Sequence, residues 1–344
     1  MTVSVTVQPA GRRFEVMRDE PMLGAAIRQG IGLPYGCKDG ACGSCKSRLL
    51  EGRVIHGAHQ LKALSEAEEA AGLILTCCAT PQTDCVIEQR QVSAAGQFAI
   101  LKMPARVASR ERVAADVVVM RLQLPANQVF RYHAGQYVEF ILRDGARRSY
   151  SMASAPECAD GGMELHIRHM PGGRFTDHVF GAMKDKEILR LEGPYGSFYL
   201  REDSERPIVL LASGTGFAPI KAMLEHMRAA GIVRPTRLYW GARSRVNLYL
   251  HDWALAAAEL PWLSYVPVLS EAKPEDAWHG RTGFVHQAVL ADLPDLSGHE
   301  VYACGVPVMV ESARRDFVAQ AGLPDEAFYA DAFTSEADKH GSAR

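Results

Sequence analysis

The sequence contains no apolar run long enough to cross a bilayer. Its longest apolar stretches, such as PIVLLASGTGFAPI at residues 207–220, are interrupted by glycine and proline. They fall short of the roughly 20 residues that a membrane helix needs. The N-terminal segment MTVSVTVQPAGRRFEV alternates valine with polar residues, which is typical of a strand and not of a signal peptide. We therefore expect a cytoplasmic protein without a membrane segment.

A strong charge of either sign is also absent. The net charge is -2, with 23% charged and 47% hydrophobic residues. This composition is typical of a soluble globular protein and gives no electrostatic reason to expect nucleic acid or a membrane surface as a partner. The 344 residues exceed the usual domain size of about 100–200 residues, which predicts two or three domains.

Cysteine is scarce over most of the chain. Eight cysteines are too few for a disulfide scaffold, yet five of them lie between Cys37 and Cys78. Such clustering in a reducing compartment indicates a metal site. Cys37, Cys42 and Cys45 have the spacing C-x4-C-x2-C, which is that of a 2Fe-2S cluster of the plant type. Cys77 or Cys78 is the candidate for the fourth thiolate.

Small residues between these cysteines favour the cluster. Gly36, Gly40 and Gly43 let backbone amides approach the sulfur atoms and hydrogen-bond to them. The alternatives are a structural zinc site or unligated thiols. Zinc sites usually pair two C-x2-C knuckles, and this segment contains only one, so the iron-sulfur cluster is the favoured interpretation.

Three segments of the chain differ in their residue pattern. The first contains the valine strand, a helix that Asp19 is expected to cap, the cysteine loop, and a short helix with Ser65 and Glu68 at capping-box spacing. The second alternates like strands of an antiparallel barrel, and the third alternates strands with helices, as a doubly wound parallel sheet does. The predicted boundaries are 1–92 for the first domain, 93–100 for a linker, 101–203 for the barrel, 204–335 for the doubly wound domain and 336–344 for a disordered tail.

A predicted barrel strand, RRSYSMAS, carries residues suited to a flavin. An isoalloxazine ring needs an aromatic face, a hydroxyl near N5 and a positive charge for the pyrophosphate. Tyr150, Ser151 and Arg148 can supply these groups, with Ser149 between them. The alternative is an ordinary strand.

Two glycine-containing turns are candidates for binding phosphate groups. Gly172, Gly173 and Thr176 begin a predicted helix, where free backbone amides bind phosphate; the alternative there is an ordinary turn and cap. The second turn follows a buried strand in LLASGTGFAP, where Gly214, Thr215 and Gly216 form a loop that can admit a pyrophosphate.

The loop after the next strand is expected to contact the adenosine ribose. An acidic residue there would hydrogen-bond the 2'-hydroxyl and repel a 2'-phosphate. The sequence offers Arg243 and Arg245, and no acid before Asp252. The residues of this loop therefore leave NADPH open.

In this order along the chain, the motifs resemble a plant-type ferredoxin domain fused to the FAD and nicotinamide domains of the ferredoxin-NADP reductase superfamily. The motifs that carry the resemblance are the cysteine loop, LTCCATP, GQYV, RRSYS, GPYGSF, GTGFAP and YACGVPVM. In LTCCATP the family ligand follows the LT pair, which implies Cys77 as the fourth ligand. Cys78, Cys85 and Cys158 are then expected to be small buried hydrophobic residues.

The resemblance also implies roles for residues that the sequence pattern alone does not single out. It implies that His166, Ile167 and Arg168 line the flavin and its ribityl chain, and that Phe333 shields the flavin, with a core aromatic as the alternative. It implies a nicotinamide loop with Cys304 beside the ring, for which a buried strand thiol is the alternative. The other residues implied for that loop are Gly305, Pro307 and Met309, and Pro219 replaces the usual third glycine of the GTGFAP loop, as it does in the superfamily. Ser151 and Cys304 are the candidate catalytic residues.

The function implied is electron transfer from NADH through FAD and a 2Fe-2S cluster to a protein acceptor. A flavin suits this route because it accepts a hydride and releases single electrons. The acceptor is expected to be an oxygenase component or a radical dehydratase. Residues 52–81 look most similar to the CDP-6-deoxy-glucoseen reductase branch. Lys38, Asp39 and Lys46 are candidates for docking the acceptor, and the chain is expected to be a monomer.

Two other classes of function remain as alternatives. One is a free flavin reductase or diaphorase whose cysteine loop binds zinc. The other is an iron-sulfur carrier without enzymatic activity, against which RRSYS and GTGFAP argue.

Overall fold

The computed structural model describes residues 2–94 and 98–334. The chain divides into two compact units. The first contains residues 1–99, 196–198 and 331–344, and the second contains residues 100–195 and 199–330. Residues 95–97 of the predicted linker and the predicted tail at 336–344 lie outside the described residues. No helix in the described part of the chain combines the length and apolar character that crossing a bilayer requires.

The first unit is built on a five-stranded sheet with the order β2-β1-β8-β4-β6. In β1 the predicted alternation is realised, because Val5 and Val7 are buried and pair with the hairpin partner β2, where Phe14 and Val16 are buried. Strand β8 then pairs parallel to β1. The elements are β1 Thr2–Gln8, β2 Arg12–Met17, α1 Met22–Arg28, β3 Ile31–Gly32, β4 Lys46–Glu51, β5 Val54–His56, α2 Glu66–Ala70, β6 Leu73–Leu75, β7 Ala79–Pro81, β8 Cys85–Glu88 and β9 Ser93–Ala94.

The two helices of this unit test the capping predictions. Ser65 and Glu68 form the capping box at the start of α2, as expected. The Asp19 cap was wrong: the N-cap of α1 is Pro21, and Asp19 lies in the preceding turn with φ +63°. That turn is held instead by Glu20, whose carboxylate accepts hydrogen bonds from the Met17 amide and the Arg28 guanidinium.

The second unit begins with a six-stranded antiparallel sheet of order β13-β12-β15-β10-β11-β14, and a bridge between Met152 and Leu165 joins its two edges into a barrel. The barrel prediction is confirmed. Strands β10 and β15 were not predicted. In β10 the buried residues Met103, Ala105 and Val107 do alternate with polar ones, but alanine and the charged neighbours make the pattern weak. The elements are β10 Leu101–Ala114, β11 Val117–Gln123, β12 Tyr137–Ile141, β13 Arg147–Ser151, β14 Gly162–Arg168, α3 Arg174–Phe180 and β15 Ile188–Tyr195.

The rest of the second unit centres on a six-stranded sheet of order β19-β18-β17-β16-β20-β21, whose strands from β19 to β20 pair in parallel, as predicted. Every residue from Ile208 to Ala212 in the central strand is buried, which explains its continuous apolar run. The chain order reverses between β16 and β20, so the loops that follow these strands lie side by side. The elements are β16 Ile208–Ser213, α4 Phe217–Ala230, β17 Thr236–Ala242, α5 His251–Ala257, β18 Leu263–Leu269, β19 Arg281–Thr282, α6 Val285–Asp292, β20 Glu300–Gly305, α7 Pro307–Ala321 and β21 Phe328–Ala332.

Candidate functional site

The four predicted ligand cysteines come together as two pairs of thiols. The Sγ atoms of Cys45 and Cys77 are 3.2 Å apart. The thiols of Cys37 and Cys42 also pair, and their hydrogen bond raises the pKa of Cys37 and lowers that of Cys42 to about 6. Among the described residues, no three His, Cys, Asp or Glu side chains are arranged for one metal ion. Two thiolates for each of two irons is the donor set that a 2Fe-2S cluster requires.

Backbone amides donate hydrogen bonds to the sulfur atoms of the Cys37 and Cys42 pair. The Cys37 amide donates to Cys42 Sγ at 3.4 Å, and the Ala41 amide donates to Cys37 Sγ at 3.3 Å. A Cβ atom on Gly36 would lie 3.4 Å from Cys42 Sγ, and Gly40 and Gly43 have φ of +74° and +75°. A side chain at these positions would crowd or strain the loop, so its conformation fits a cluster that accepts amide hydrogen bonds.

Cys77 and Cys78 occupy different environments. Cys77 is buried and faces Cys45, whereas Cys78 is half-buried, with its Sγ 3.5 Å from that of Cys77. A Cβ on Gly40 would lie 2.8 Å from Cys78 Sγ, so Cys78 packs against the glycine of the loop. Cys85 is buried as predicted, but Cys158 is exposed, because it lies in a 3-10 turn and not in a strand.

Segments distant in sequence belong to the same unit as the cysteine loop. The Tyr35 amide donates to Ser197 Oγ at 2.9 Å, and the Gly196 amide donates to Tyr35 Oη at 2.9 Å. A Cβ on Gly36 would lie 3.1 Å from Asp331 Oδ1. These contacts immobilise the backbone just before the first cysteine, and no local sequence signal predicts them.

The flavin candidates of RRSYS lie on β13, antiparallel to β12. The Tyr150 ring contacts Phe140 and Phe175, with ring centroids 5.8 Å and 5.3 Å apart, and burial raises the pKa of its hydroxyl. Ser151 is buried opposite Tyr137, and Arg148 is half-buried. A rigid aromatic ring beside a buried hydroxyl and a guanidinium on the same strand fits a planar anionic cofactor.

The predicted phosphate turn before α3 is tightly hydrogen-bonded within itself. Thr176 Oγ1 donates to the Met170 carbonyl at 2.9 Å and accepts from its amide at 3.2 Å. The Gly172 amide donates to Asp177 Oδ2 at 3.1 Å, while Gly173 is the N-cap of α3. The turn is therefore ordered, with Thr176 acting on the backbone as it does in an ordinary cap.

The three residues of HIR on β14 face different surroundings. Ile167 is fully buried in the barrel core, so only its backbone groups are left for a cofactor. His166 is buried on the opposite strand face, and burial lowers its pKa. Arg168 is exposed and pairs with Asp116, with 3.0 Å between Nε and Oδ2; its NH1 atom would be 3.6 Å from a Cβ on Gly214.

The loops after β16 and β20 touch through their glycines. A Cβ on Gly216 would lie 2.2 Å from the Cys304 carbonyl oxygen, and a Cβ on Gly305 would lie 2.1 Å from Ser213 Oγ. Cys304 itself is fully buried at the end of β20. Only glycine allows this approach, which leaves bare backbone at the carboxyl edge of the sheet.

The remaining nucleotide candidates surround this edge. Pro219 is buried in α4, and Thr215 is buried just before that helix. Pro307 begins α7, and Met309 is buried two residues further on. The second phosphate candidate, Gly214, has φ +52°, and its carbonyl accepts a hydrogen bond from Trp240 Nε1 at 3.1 Å.

Two carboxylates that the sequence analysis missed lie beside the predicted ribose loop after β17. Arg243 Nε lies 3.9 Å from Glu271 Oε1, and the Arg245 amide donates to Asp276 Oδ1 at 3.0 Å. Both acids follow β18, so they become neighbours of the loop only when the strands pair. Phe333 is half-buried just after β21 and belongs to the first unit.

Comparison with known protein families assigns all three parts of the chain. Residues 5–82 match the 2Fe-2S iron-sulfur cluster binding domain, residues 104–199 the oxidoreductase FAD-binding domain, and residues 210–315 the oxidoreductase NAD-binding domain. The protein therefore binds a 2Fe-2S cluster, FAD and a nicotinamide dinucleotide. The zinc alternative and the carrier without enzymatic activity are set aside.

Similar proteins span the whole chain. A CDP-6-deoxy-L-threo-D-glycero-4-hexulose-3-dehydrase reductase from Yersinia pseudotuberculosis is 40% identical over 97% of this chain and 99% of its own length. Reductase component 1 of terephthalate 1,2-dioxygenase from Comamonas is 34% identical over 99% of this chain and all of its own. The crystal structure of the reductase GcoB from Amycolatopsis superposes with a TM-score of 0.77 at 33% identity, covering 97% of this chain and 99% of the other.

The cysteine pairs, the barrel and the glycine-lined sheet edge thus occur in the chain order of these relatives. The chain belongs to the family of electron-transfer reductases that fuse a plant-type 2Fe-2S ferredoxin domain to FAD-binding and NAD-binding domains of the ferredoxin-NADP reductase superfamily.

Proposed function

We propose that this reductase supplies single electrons to a dehydrase acting on a CDP-linked 6-deoxy-hexulose. The observation that carries the proposal is the 40% identity to a reductase named for that dehydrase, over nearly the full length of both chains. The terephthalate dioxygenase reductase is less similar, at 34%. An oxygenase component is the second candidate acceptor, because several relatives of this length are named as oxygenase reductases.

We propose that Cys37, Cys42, Cys45 and Cys77 ligate the cluster. When bound, FAD and the cluster would supply the conversion of a hydride from NAD(P)H into two single electrons. The chain contributes thiolate ligands and the amides of Cys37 and Ala41, which stabilise negative charge on sulfur. The Cys37 and Cys42 pair is less buried than the other pair, which supports it as the edge nearer to an acceptor.

We propose that the barrel and the sheet edge bind and orient the other two cofactors. Tyr150 provides a face for the flavin ring, Ser151 a hydroxyl at its edge, and Arg148 a charge for the pyrophosphate. Glycines let the loops after β16 and β20 touch, so their backbone amides are uncovered and can bind the dinucleotide. Cys304 lies behind these loops as a positioning residue. Hydride transfer itself would need no general acid or base of the triad kind, and the proton that remains once both electrons have left would be released to solvent.

We propose NADH as the preferred reductant. Glu271 and Asp276 place carboxylates beside the loop that carries Arg243 and Arg245. Negative charge at this position favours a ribose hydroxyl over a 2'-phosphate. The two arginines alone would have favoured NADPH.

We propose that the acceptor docks over the cysteine loop and that the reductase acts as a cytoplasmic monomer. Asp39 is exposed, while Lys46 forms an ion pair with Glu68 at 2.6 Å. Asp39 is thus the more accessible charge of the two. The small net charge supports a protein partner over nucleic acid. Light scattering coupled to size exclusion would test the monomer.

Reconstitution with defined acceptors tests the main proposal. The purified holoenzyme is mixed with NADH and either a CDP-6-deoxy-hexulose 3-dehydrase with its sugar substrate or the oxygenase component of terephthalate dioxygenase. We expect product only with the dehydrase, at a rate that saturates with dehydrase concentration. Cytochrome c reduction serves as the control for intact electron transfer. Product formation only with the oxygenase would overturn the proposal.

A further inference from the structure

The second unit contains a chain of buried polar side chains, of which only His166 has an implied cofactor role, that of lining the flavin. It begins at Tyr249, whose hydroxyl lies 2.8 Å from His166 Nδ1. His166 Nε2 lies 3.0 Å from Glu164 Oε1, and the same oxygen lies 3.1 Å from Lys221 Nζ. Lys221 also binds Glu225 at 2.5 Å. Four of these five side chains are largely buried, and Tyr249 is half-buried.

The protonation of this chain follows from its environment. Burial lowers the pKa of His166, so the ring is neutral near pH 7. Burial also raises the pKa of the Tyr249 hydroxyl, which therefore donates to His166 Nδ1, while Nε2–H donates to Glu164. Burial alone would raise the pKa of Glu164, but the bond from His166 and the charge of Lys221 lower it to about 2.

The chain joins the flavin barrel to both predicted nucleotide loops. Glu164 and His166 belong to β14, next to Arg168. Lys221 lies in α4, directly after the loop at 214–216, and its Nζ also donates to the Ala153 carbonyl at 3.1 Å. Tyr249 ends the loop that starts at Arg243, and its ring stands edge-on to Trp240 at 5.2 Å.

The two carboxylates of the chain have further hydrogen-bond partners. Glu164 Oε2 accepts a hydrogen bond from Arg121 at 3.2 Å, and Glu225 Oε2 accepts one from the Ala155 amide at 3.0 Å. Every carboxylate oxygen is thus used, which a buried ionic network requires if it is not to be destabilising. A satisfied network of this kind has one arrangement, so it fixes the distance between the elements that it joins.

We propose that the Tyr249–His166–Glu164–Lys221 chain is a positioning device for hydride transfer, which keeps the nucleotide loops of the parallel sheet in register with the flavin strand β14. The inference rests on the proposed roles of the two loops and not on the identity of the acceptor. Positioning errors of about 1 Å can cost about 100-fold in rate. A hydrogen-bond chain between the two sites is therefore expected to act on the rate more than on cofactor binding.

The test is the substitution Tyr249→Phe, which removes one hydroxyl and keeps the ring. Flavin reduction by NADH is followed by stopped flow, together with the nicotinamide–flavin charge-transfer absorbance and amide hydrogen exchange at residues 243–250. We expect reduction to slow about 10-fold, a weaker charge-transfer band and faster exchange. FAD content and reduction by dithionite should not change, and the melting temperature should fall by no more than about 2–4 °C.

Tyr265→Phe is the matched control. Tyr265 Oη makes a similar bond to His251 Nδ1, at 3.1 Å, in the same unit but away from β14. Its removal should leave the rate of flavin reduction unchanged. Adding His166→Gln to Tyr249→Phe should cost little beyond the single change, because the two residues act as one unit. Lys221→Arg, which retains the charge, should be milder than Lys221→Met.

Equal rates for Tyr249→Phe and the wild type would overturn the inference. So would a loss of FAD or of melting temperature that accounts for the whole change in rate. If Tyr249→Phe does not fold, the isosteric Glu164→Gln variant decides the question by the same measurements. If Gly216→Ala leaves flavin reduction by NADH unchanged, the proposed loop roles fail; a slow Tyr249→Phe variant would still show that β14 and the Tyr249 loop are coupled.

Discussion

The cysteine loop and the nucleotide edge of the parallel sheet are organised in opposite ways. In the loop, three of the four thiols and the amides that approach them come from one short segment of backbone, and glycines with positive φ shape it. At the sheet edge, Gly216 contacts Cys304, and Arg243 approaches Glu271, through strand pairing alone. A local site is therefore visible as spacing in the sequence, whereas an assembled site depends on topology.

The largest effect is expected from replacing Cys77, the one thiol of the set that lies far from the other three in sequence. Cys77→Ser should abolish the cluster, because an iron would be left with one thiolate of the Cys45 pair. Iron, acid-labile sulfide and visible absorbance should all be lost, while FAD and ferricyanide reduction by NADH remain.

Cys78→Ser is the matched control for this change. It should retain iron and sulfide at the level of the wild type, because Cys78 packs against Gly40 and does not face Cys45. Full iron content in Cys77→Ser together with loss in Cys78→Ser would reverse the assignment of the fourth ligand.

A second substitution tests the carboxyl edge of the parallel sheet, which is assembled by strand pairing. Gly216→Ala places a Cβ 2.2 Å from the Cys304 carbonyl, which is backbone and cannot rotate away. We expect flavin reduction by NADH to slow about 100-fold as the two loops separate, with unchanged iron content. Stopped-flow absorbance measures the rate. Gly298→Ala is the control, since a Cβ there meets nothing within 4 Å, and equal rates for both variants would contradict the close contact.

The nucleotide preference tests whether pairing between strands decides specificity. Glu271→Gln removes one carboxylate beside Arg243. The ratio of kcat/KM for NADPH to that for NADH should rise about 5-fold, as expected for an exposed charge worth about 1 kcal/mol. Glu275→Gln, which removes an equally exposed acid near Lys273, should leave the ratio unchanged. An unchanged ratio in both variants would remove Glu271 from the ribose site.

The smallest expected effect concerns pH. Burial lowers the pKa of His166, so below pH 6.5 the unfolded chain binds a proton that the folded chain does not, and stability falls as the pH falls. Between pH 7.5 and 5.5 the flavin-release melting temperature of the wild type should decline more steeply than that of His166→Gln, by about 1–2 °C. Replacing the exposed His279 with glutamine should leave the slope as it is in the wild type.

Most of the fold follows from local patterns. The continuous apolar run of β16, the alternation in β1 and the capping box of α2 each give the correct element, because burial on one face or both determines which residues are tolerated. Strand β10 was not predicted, because Ala105 is one of the residues on its buried face and gives only a weak apolar signal. Asp19 failed as a cap because Glu20 satisfies the turn before α1.

The candidate sites divide in the same way. The cysteine loop, RRSYS and GTGFAP each consist of neighbouring residues, so the chemistry of each motif can be predicted from the sequence. The carboxylates of Glu271 and Asp276, the bonds from Tyr35 to Ser197 and the Tyr249–His166 chain join residues far apart in sequence. No pattern of period two or 3.6 encodes such contacts.

The sequence by itself determined that this protein carries four thiolates for two irons, a barrel, and a parallel sheet with a glycine-lined edge, because each is specified by neighbouring residues and by burial. The tertiary structure shows Cys77 facing Cys45, as the LTCCATP resemblance implies, and it alone decided which acids approach the predicted ribose loop and how β14 is bonded to α4. These choices depend on side-chain direction across paired strands, and a shift of one residue in the pairing would reverse them.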